Sequence, residues 1–278
     1  MPLKVWFITG TSRGFGREWA SAALERGDRV VATARKLDAL KDLADRYPST
    51  LLPLELDVTN KEAVVAAVDQ GYEHFGHLDV VINNAGYGHF GMIEEVTEAQ
   101  ARAQMETNFF GALWVTQAAL PHLRAQKSGH IIQVSSIGGI TAFAGLGLYH
   151  ASKWALEGFS QSLAQEVRAF GIRVTLIEPG GFETDWGGSS AVHSEPLPAY
   201  ETTRKVVAAA RKVAGSKRGD PAATRSALLK IVDAERPPLR VFFGEAPLGM
   251  AKADYASRIA VWEEWQELAL EAHGSKSE

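Results

Sequence analysis

Short apolar runs alternate with longer amphipathic segments along most of this chain. Seven of the runs are rich in β-branched or other apolar residues and predict strands, at 5–9, 29–34, 51–56, 79–83, 130–135, 172–177 and 239–243. Val80, Val81 and Ile82 are apolar at consecutive positions, which is typical of a strand that is buried on both faces.

Five of the segments between these runs carry apolar residues at helical spacing, at 15–26, 37–47, 61–75, 98–126 and 149–170. The alternation of strands and helices predicts βαβ crossovers, which require a parallel sheet covered by helices on both faces. The pattern therefore predicts an α/β protein with a single-domain Rossmann fold, in which a doubly wound parallel sheet contains about seven strands.

The composition changes near Gly187. Residues 187–219 are rich in Gly, Ser, Pro and basic residues, and they contain one predicted helix near 200–214. We interpret this stretch as a mobile flap over the functional site and not as a linker between domains.

Two more helices are predicted in the C-terminal part, at 221–234 and at 251–272. The second helix carries Trp262 and Trp265, which either dock it on the protein body or cover the substrate. Docking is the simpler interpretation. The prediction is thus one domain, 1–278, made of a core for cofactor binding and catalysis, a substrate flap, and the C-terminal helices with the last strand, at 1–184, 185–219 and 220–278.

Composition narrows the possible functions. The chain has no cysteine, which excludes disulfides, thiolate nucleophiles and Cys-ligated metal centres. With 29 basic and 33 acidic residues, the net charge of -4 does not favour a nucleic-acid partner. The first apolar run is shorter than a signal-peptide core, and no stretch approaches the roughly 18 apolar residues of a membrane span. We expect a cytoplasmic protein that binds neither nucleic acid nor membranes.

A glycine-rich turn follows the first predicted strand and leads into a helix. Gly10, Gly14 and Gly16 have the spacing Gly-x-x-x-Gly-x-Gly. Such glycines let the backbone approach a pyrophosphate, and the N-terminus of the helix offers free N–H groups to the anion. Glycine turns also serve plain strand–helix packing, but this position in the chain favours a dinucleotide.

With this turn, the chain resembles the short-chain dehydrogenase/reductase family. Four further motifs occur in the order of that family: Asn83–Asn84–Ala85–Gly86, an isolated Asn108, Ser136 with Tyr149-x-x-x-Lys153, and Pro179–Gly180 followed by Thr184. The resemblance covers residues 4–184, about two-thirds of the chain. It implies that the cofactor is bound by Gly10, Ser12, Arg13, Gly14, Phe15, Gly16, Arg35, Asp57, Val58, Asn84, Ala85, Gly86, Tyr149, Lys153, Pro179, Gly180 and Thr184.

The end of the second predicted strand favours NADP(H) over NAD(H). NAD-binding Rossmann proteins carry an acid there for the ribose 2′-hydroxyl, whereas this chain has Arg35 and Lys36 and no acid before Asp38. A guanidinium forms paired hydrogen bonds with a 2′-phosphate, and Arg35 is placed for this. The resemblance implies a similar use of Arg13. Alternatively, Arg35 and Lys36 are simply solvated, and Arg13 only covers the turn.

Two interpretations are open for Asp57. It can cap a helix that begins near Asn60, or, as the resemblance implies, accept from the adenine amino group beside the Val58 backbone. The small residues at 83–86 let the chain pass beside the cofactor, and Asn83 is interpreted as mainly structural.

Tyr149 and Lys153 lie four residues apart and share one helix face. Such a pair alone is a weak signal, but Ser136 ends a predicted strand thirteen residues before Tyr149. Tyrosine can protonate a developing alkoxide, and an adjacent ammonium lowers its ordinary pKa of about 10. A pKa of about 7 needs about 4 kcal/mol of differential stabilisation. Ser136 can donate to the substrate oxygen.

The resemblance assigns two further roles. Lys153 holds the nicotinamide ribose, and Asn108 positions a water in a proton relay behind Lys153. The alternative for Asn108 is a buried polar residue that bends its helix. Thr184 is expected near the carboxamide or phosphate region of the cofactor. His74 and His77 have no third ligand, so we expect no metal.

The candidates for lining the substrate site favour a hydrophobic ketone, aldehyde or secondary alcohol. They are Tyr87, Phe90, Ile140, Phe143, Leu146 and Trp186, and the flap can add polar groups from His193, Arg204 and Lys205. The resemblance implies a dimer or tetramer formed through the helices at 109–126 and 149–170.

The leading hypothesis is an NADPH-dependent carbonyl reductase, reversible as an alcohol dehydrogenase. A non-catalytic NADP(H)-binding sensor is the main alternative, but it has no need of Ser136, Tyr149 and Lys153. A sugar-nucleotide epimerase is disfavoured because the glycine spacing differs.

Overall fold

The computed structural model describes residues 3–188, 190–214 and 218–274. Its nine strands are β1 Val5–Ile8, β2 Arg29–Ala34, β3 Leu51–Glu55, β4 Val80–Asn83, β5 His89–Phe90, β6 Gly129–Val134, β7 Ile172–Pro179, β8 Val192–His193 and β9 Arg240–Phe243. Seven of them form one parallel sheet in the order β3-β2-β1-β4-β6-β7-β9. The predicted seven-stranded, doubly wound Rossmann fold is therefore confirmed, with strand ends shifted by at most two residues.

Helices cover both faces of this sheet. They are α1 Gly14–Glu25, α2 Lys41–Arg46, α3 Lys61–Phe75, α4 Glu98–Met105, α5 Gly111–Gln126, α6 Gly147–Glu166, α7 Glu201–Ala214, α8 Thr224–Asp233, α9 Pro247–Glu264 and α10 Gln266–Ala272. The single helix predicted at 98–126 is interrupted by a π-turn at Glu106–Phe110, which separates α4 from α5. A π-turn continues the helical course of the chain, so apolar spacing did not reveal the break.

Alternating side chains of the central strand supply both cores. Trp6 and Ile8 of β1 pack with Trp19 of α1 on one face. Phe7 packs with residues of α3 and α5, such as Leu123, on the other face. This is the period of two that a strand imposes, and it explains why β1 is apolar at every position.

Two short strands, one after β4 and one in the flap, were not predicted. β5 and β8 form a separate parallel pair, which attaches the start of the flap to the chain after β4. A run of two residues carries no recognisable period, so its pairing could not be predicted from sequence.

The flap is also anchored through one enclosed carboxylate. Glu95 accepts hydrogen bonds from the guanidinium of Arg204, at 2.7 Å, and from the backbone N–H of Leu197, at 2.9 Å. The Arg204 guanidinium lowers the pKa of Glu95 to about 2. Lys205 pairs with Glu201 at 2.6 Å. Arg204 thus ties α7 to Glu95, so the prediction that Arg204 reaches the substrate is wrong. The Lys205 pair lies within α7, and a contact of Lys205 with the substrate stays a prediction.

The terminal helices leave the body of the protein. Pro247 and Ala251 of α9 are buried, whereas Trp262 and Trp265 are 60% and 58% exposed. These tryptophans do not dock on the body, so that interpretation is wrong within the residues described, while the alternative that they cover the substrate stays a prediction. None of the helices described is both long enough and apolar enough to cross a membrane.

Candidate active site

The candidate site lies at the carboxyl ends of the strands, where the sheet order reverses between β1 and β4. Ligands of open α/β sheets bind in the crevice that such a reversal creates. The glycine turn after β1, the Asn84–Gly86 segment after β4, and the Ser136 segment after β6 all meet there.

The glycine turn has the geometry of an anion cradle. Gly10 and Gly14 adopt φ values of +69° and +59°, a region that L side chains rarely enter. A Cβ on Gly16 would lie 2.5 Å from the carbonyl oxygen of Gly10. No side chain caps the N-terminus of α1, and its first turn holds no acid. The backbone N–H groups there fit a phosphate, so this part of the structure suits a dinucleotide.

A threonine that precedes the turn joins β1 to β4. The hydroxyl of Thr9 accepts from the backbone N–H groups of Asn84 and Ala85, at 2.9 and 3.0 Å. The amide of Asn84 in turn donates to the carbonyls of Thr9 and Gly10, at 2.9 and 3.0 Å. Thr9 is absent from the predicted site residues, and its role depends on β4 being the neighbour of β1.

Arg13 and Arg35 have different surroundings. Arg13 forms an ion pair of 2.5 Å with Asp185 of the flap, so it connects the glycine turn to the substrate side. Arg35 is exposed just after β2, and in the residues described no hydrogen bond or ion pair to its side chain is recorded. Its guanidinium is accessible to an anion at the edge of the crevice.

Asp57 forms a local turn. Its Oδ1 accepts from the backbone N–H and the hydroxyl of Thr59, at 3.0 and 2.8 Å. Asn60 caps α3, with its Oδ1 accepting from Ala63 N at 2.9 Å. The capping interpretation of Asp57 is therefore wrong, and its adenine role stays a prediction. The Val58 side chain is buried where α5 begins.

Ser136 and Tyr149 are brought together as predicted. Ser136 begins a short 3₁₀ turn after β6, and its Oγ accepts from Gly138 N at 3.0 Å. Burial raises the pKa of Tyr149 to about 12, and a hydrogen bond from Ser136 opposes this rise. Lys153 was expected to lower the pKa of Tyr149. This lowering is not seen, because desolvation of the phenolate outweighs the other effects in this environment.

Lys153 lies one helical turn after Tyr149 and is buried. Its Nζ donates to the carbonyl of Val134 at 2.7 Å and lies 5.9 Å from the centre of the Tyr149 ring. Burial lowers the pKa of Lys153 to about 8, and the negative charge of Glu157 acts against this shift. The ammonium can therefore lose its proton within the range in which enzymes work.

Asn108 occupies the middle of the π-turn and is buried. Its Oδ1 accepts from Tyr87 N, while its Nδ2 donates to Tyr87 O and to the hydroxyl of Ser152, at 3.0, 3.0 and 3.1 Å. The side chain thus fixes the loop after β4 against α6, the helix that carries Tyr149. Its water-positioning role stays a prediction, although π-turns are frequent at functional sites.

Pro179, Gly180 and Thr184 approach the glycine turn from the other side. Pro179 pairs with Phe243 of the edge strand β9, and Gly180 packs against Pro247. The side chain of Thr184 lies 3.8 Å from the position of a Cβ on Gly14. The ring of Phe15 contacts that of Phe182, with 5.0 Å between centroids. These contacts agree with a place for Thr184 beside the cofactor groove.

Aromatic rings face Tyr149 on the flap side. Trp186 lies 4.9 Å from the Tyr149 ring and 5.3 Å from that of Phe90. His193 stacks on Phe90 at 5.0 Å, and the guanidinium of Arg211 lies 4.6 Å from the same ring.

Of the other substrate candidates, Phe143 is exposed and contacts His150. Ile140 is buried with Ile137 and Ala251, and its place in the substrate site stays a prediction. Leu146 is also buried, and the backbone of Tyr87 is held by Asn108. In the residues described, no group of three or more acidic, histidine or cysteine side chains is placed to hold a metal ion.

Comparison with known proteins agrees with this geometry. Residues 4–193 match the short chain dehydrogenase family. The chain is 45% identical over 271 residues to an oxidoreductase of Botryotinia fuckeliana, covering 96% of this chain and 98% of that protein. The crystal structure of a short-chain dehydrogenase from Streptomyces avermitilis has a TM-score of 0.91 at 38% identity and covers 98% of this chain and 99% of its own. A short chain dehydrogenase from Burkholderia cenocepacia in complex with NADP has a TM-score of 0.74 at 26% identity, covering 94% and 97%.

Proposed function

Because this chain belongs to the short-chain dehydrogenase family and is an NAD(P)-dependent oxidoreductase, we propose that it is an NADP(H)-dependent carbonyl reductase. It transfers hydride reversibly between NADPH and a hydrophobic ketone or aldehyde, with the secondary or primary alcohol as the product. The observation that carries this proposal is the convergence of Ser136 and Tyr149, with Lys153 buried one helical turn further along α6 and its Nζ 5.9 Å from the centre of the Tyr149 ring.

The chemistry of the pair follows from its surroundings. The bound cofactor supplies the hydride. Ser136 is placed to donate a hydrogen bond to the substrate oxygen, which fixes the carbonyl and stabilises the charge that develops on it. Since the pKa of Tyr149 is raised to about 12, its hydroxyl keeps its proton at neutral pH and can donate it to the developing alkoxide. Lys153, as an ammonium, stabilises the phenolate that remains.

Several features support the residues proposed to hold the cofactor. The uncapped N-terminus of α1 receives the pyrophosphate at Gly14, and Asp57 and Val58 receive the adenine. Arg35 receives the 2′-phosphate, and Lys153 and Thr184 approach the nicotinamide half. A solved short chain dehydrogenase at 26% identity binds NADP, which supports the choice of a nicotinamide cofactor.

The cofactor preference can be reversed at Arg35. In the Arg35→Asp variant we expect the KM for NADPH to rise roughly 10- to 100-fold, because a charged hydrogen-bond partner of the 2′-phosphate becomes a repelling carboxylate. NADH turnover is expected to rise relative to NADPH turnover. Steady-state kinetics with both cofactors measure the ratio. The matched control is Lys36→Asp, which makes the same charge change at the next exposed residue. An unchanged ratio in Arg35→Asp removes Arg35 from the 2′-phosphate site.

The substrate side favours a hydrophobic carbonyl compound with an anionic group. Phe90 and Trp186 form an aromatic wall beside Tyr149, and Arg211 lies over the outer end of that wall. Among the described residues no acidic side chain pairs with Arg211. Arg211 is exposed apart from its contact with the Phe90 ring, so its guanidinium is accessible to an anion on the substrate. A carboxylate on the substrate would supply the missing counter-charge.

This preference is tested with an aryl ketone that carries a carboxylate and with its methyl ester. We expect Arg211→Met to lower kcat/KM for the acid about tenfold or more, since a charged hydrogen bond is lost. The ester should be affected little, and so should both substrates in the Lys212→Met control. Equal effects of Arg211→Met on acid and ester contradict the assignment. Absence of turnover by the wild-type protein across a broad carbonyl panel favours the sensor hypothesis.

Two further predictions concern the oligomeric state and the cellular location. A homodimer or homotetramer built on α5 and α6 stays a prediction, and so does a cytoplasmic location.

A further inference from the structure

Two buried glutamates lie directly behind the residues proposed to react. Glu157 follows Lys153 by one turn of α6, and Glu178 ends β7 just before Pro179. Both side chains are enclosed, and Glu178 has no exposed surface at all. The Ser136 segment covers them, because a Cβ on Gly139 would lie 2.6 Å from Ser135 Oγ and 3.0 Å from Glu157 Cγ.

One guanidinium serves both carboxyl groups. Arg240 Nε donates to Glu157 Oε2 at 2.9 Å and lies 3.5 Å from Glu178 Oε1. Glu157 Oε1 and both oxygens of Glu178 are buried without a donor from the residues described. Carboxylates are acceptors only, so two ionised groups would leave these oxygens unsatisfied and place two negative charges together. One proton held between the two carboxyls removes the second negative charge and joins two of the three unsatisfied oxygens in a hydrogen bond.

Few charged groups surround Glu157 and Glu178. Lys153 faces Glu157 from the preceding turn of α6, and Arg240 approaches from β9. Ser135, the residue after β6, contributes an uncharged hydroxyl, which favours the ionised form of Glu157 and lowers its pKa against the larger effect of burial. On α9, Asp254 and Arg258 pair with each other at 2.7 Å, and Arg258 also donates to Ile140 O. Burial and the charge of Glu157 together raise the pKa of Glu178 to about 8.

We propose that Glu157 and Glu178 are positioning residues that share one proton, with Glu178 as the neutral partner and Glu157 as the single negative charge that keeps Lys153 an ammonium. Lys153 sits in surroundings that otherwise favour its neutral form. A second negative charge would destabilise the enclosed site. If neither carboxyl group were charged, Lys153 would lose its proton. This inference rests on the proposed function at one point, which is that Lys153 takes part in the reaction.

The kinetic test uses isosteric amides. In Glu157→Gln we expect the alkaline fall of kcat for NADPH-dependent reduction to move to lower pH by about one unit, because Lys153 loses a compensating charge. In Glu178→Gln the amide replaces a carboxyl that is already neutral, and the fall is expected at the wild-type pH. The Kd for NADPH at pH 6, where Lys153 is charged in all three proteins, serves as a check of folding. If the pH profiles of kcat for Glu157→Gln and wild type have the same alkaline midpoint, the proposal is overturned, even when the variant is less active at every pH. A purely structural role would lower kcat at all pH values and would leave the midpoint unchanged.

A second measurement needs no turnover. In wild-type protein with carbon-13-labelled glutamate and lysine, we expect one glutamate carboxyl, absent from the spectrum of Glu178→Gln, to titrate well above the ordinary range. The lysine signal that is missing in Lys153→Met should titrate at lower pH in Glu157→Gln than in wild type. If both carboxyls instead ionise below pH 5, the shared proton does not exist. Because these spectra do not depend on a substrate, an inactive enzyme would count against the proposed function and leave this inference testable.

Discussion

Replacing Tyr149 with phenylalanine is expected to lower kcat for carbonyl reduction by roughly 10²- to 10⁴-fold, the usual contribution of a positioned general acid. The ring contacts with Trp186 and His150, at 4.9 and 5.8 Å, are kept, and only the hydroxyl that holds the proton is removed. The Kd for NADPH should change little, since the glycine turn is untouched. Stopped-flow or steady-state absorbance at the nicotinamide band gives kcat, and fluorescence titration gives Kd.

The control for this variant is Tyr200→Phe. It removes a hydroxyl that donates to Glu94 at 2.7 Å in the flap region and should leave kcat within a few-fold of wild type. Turnover of Tyr149→Phe at the wild-type rate would refute the assignment of the proton donor. Equal loss of turnover and of NADPH binding would show that the hydroxyl supports the structure of the site.

The second large effect is expected from one methyl group in the cofactor turn. In Gly16→Ala, the new Cβ would lie 2.5 Å from both Gly10 O and Asn84 Nδ2, so the turn must open or the amide must move. We expect a loss of about 1–3 kcal/mol in the free energy of unfolding, the usual cost of overpacking. NADPH affinity should fall more than tenfold, because the turn that cradles the phosphates is displaced.

Gly158→Ala provides the matched comparison. Gly158 lies in α6, and nothing lies within 4 Å of a Cβ there. The same substitution should therefore stabilise the protein by about 0.5–1 kcal/mol through helix propensity alone. Urea unfolding and NADPH titration of the two variants give the result. Equal effects at both positions contradict the cradle described for Gly16.

The sequence was sufficient to predict the strands of the main sheet and the meeting of Ser136 with Tyr149. Each strand shows a local apolar pattern, and the carboxyl ends of parallel strands share an edge, so motifs after β1, β4 and β6 must converge. The role of Thr9 was not predictable in the same way. Its hydroxyl matters because β4 is the neighbour of β1, which is a property of strand order and not of local pattern.

Other features of the structure depend on tertiary packing, which a local sequence pattern does not show. Trp262 and Trp265 have the apolar character of docking residues, yet they are exposed, because they follow Arg258, whose guanidinium still reaches Ile140 O and the Trp154 ring. The pKa of Tyr149 was expected to fall beside a lysine, but burial dominates, and burial is not visible in a spacing of four residues. The pairing of Glu157 with Glu178 joins positions 21 residues apart through the crossover from α6 to β7.

The ion pairs of Arg240 have a consequence for the order in which the protein is made. All the family motifs lie before residue 185, and a ribosome completes them well before it reaches the last strand. Until Arg240 arrives, the carboxyl groups of Glu157 and Glu178 have no guanidinium beside them. A nascent or truncated chain that ends after the motifs therefore has every reacting side chain but lacks the guanidinium that pairs with Glu157 and approaches Glu178. The last strand therefore supplies the charge that the two buried carboxyl groups meet, although it lies more than fifty residues beyond the last family motif.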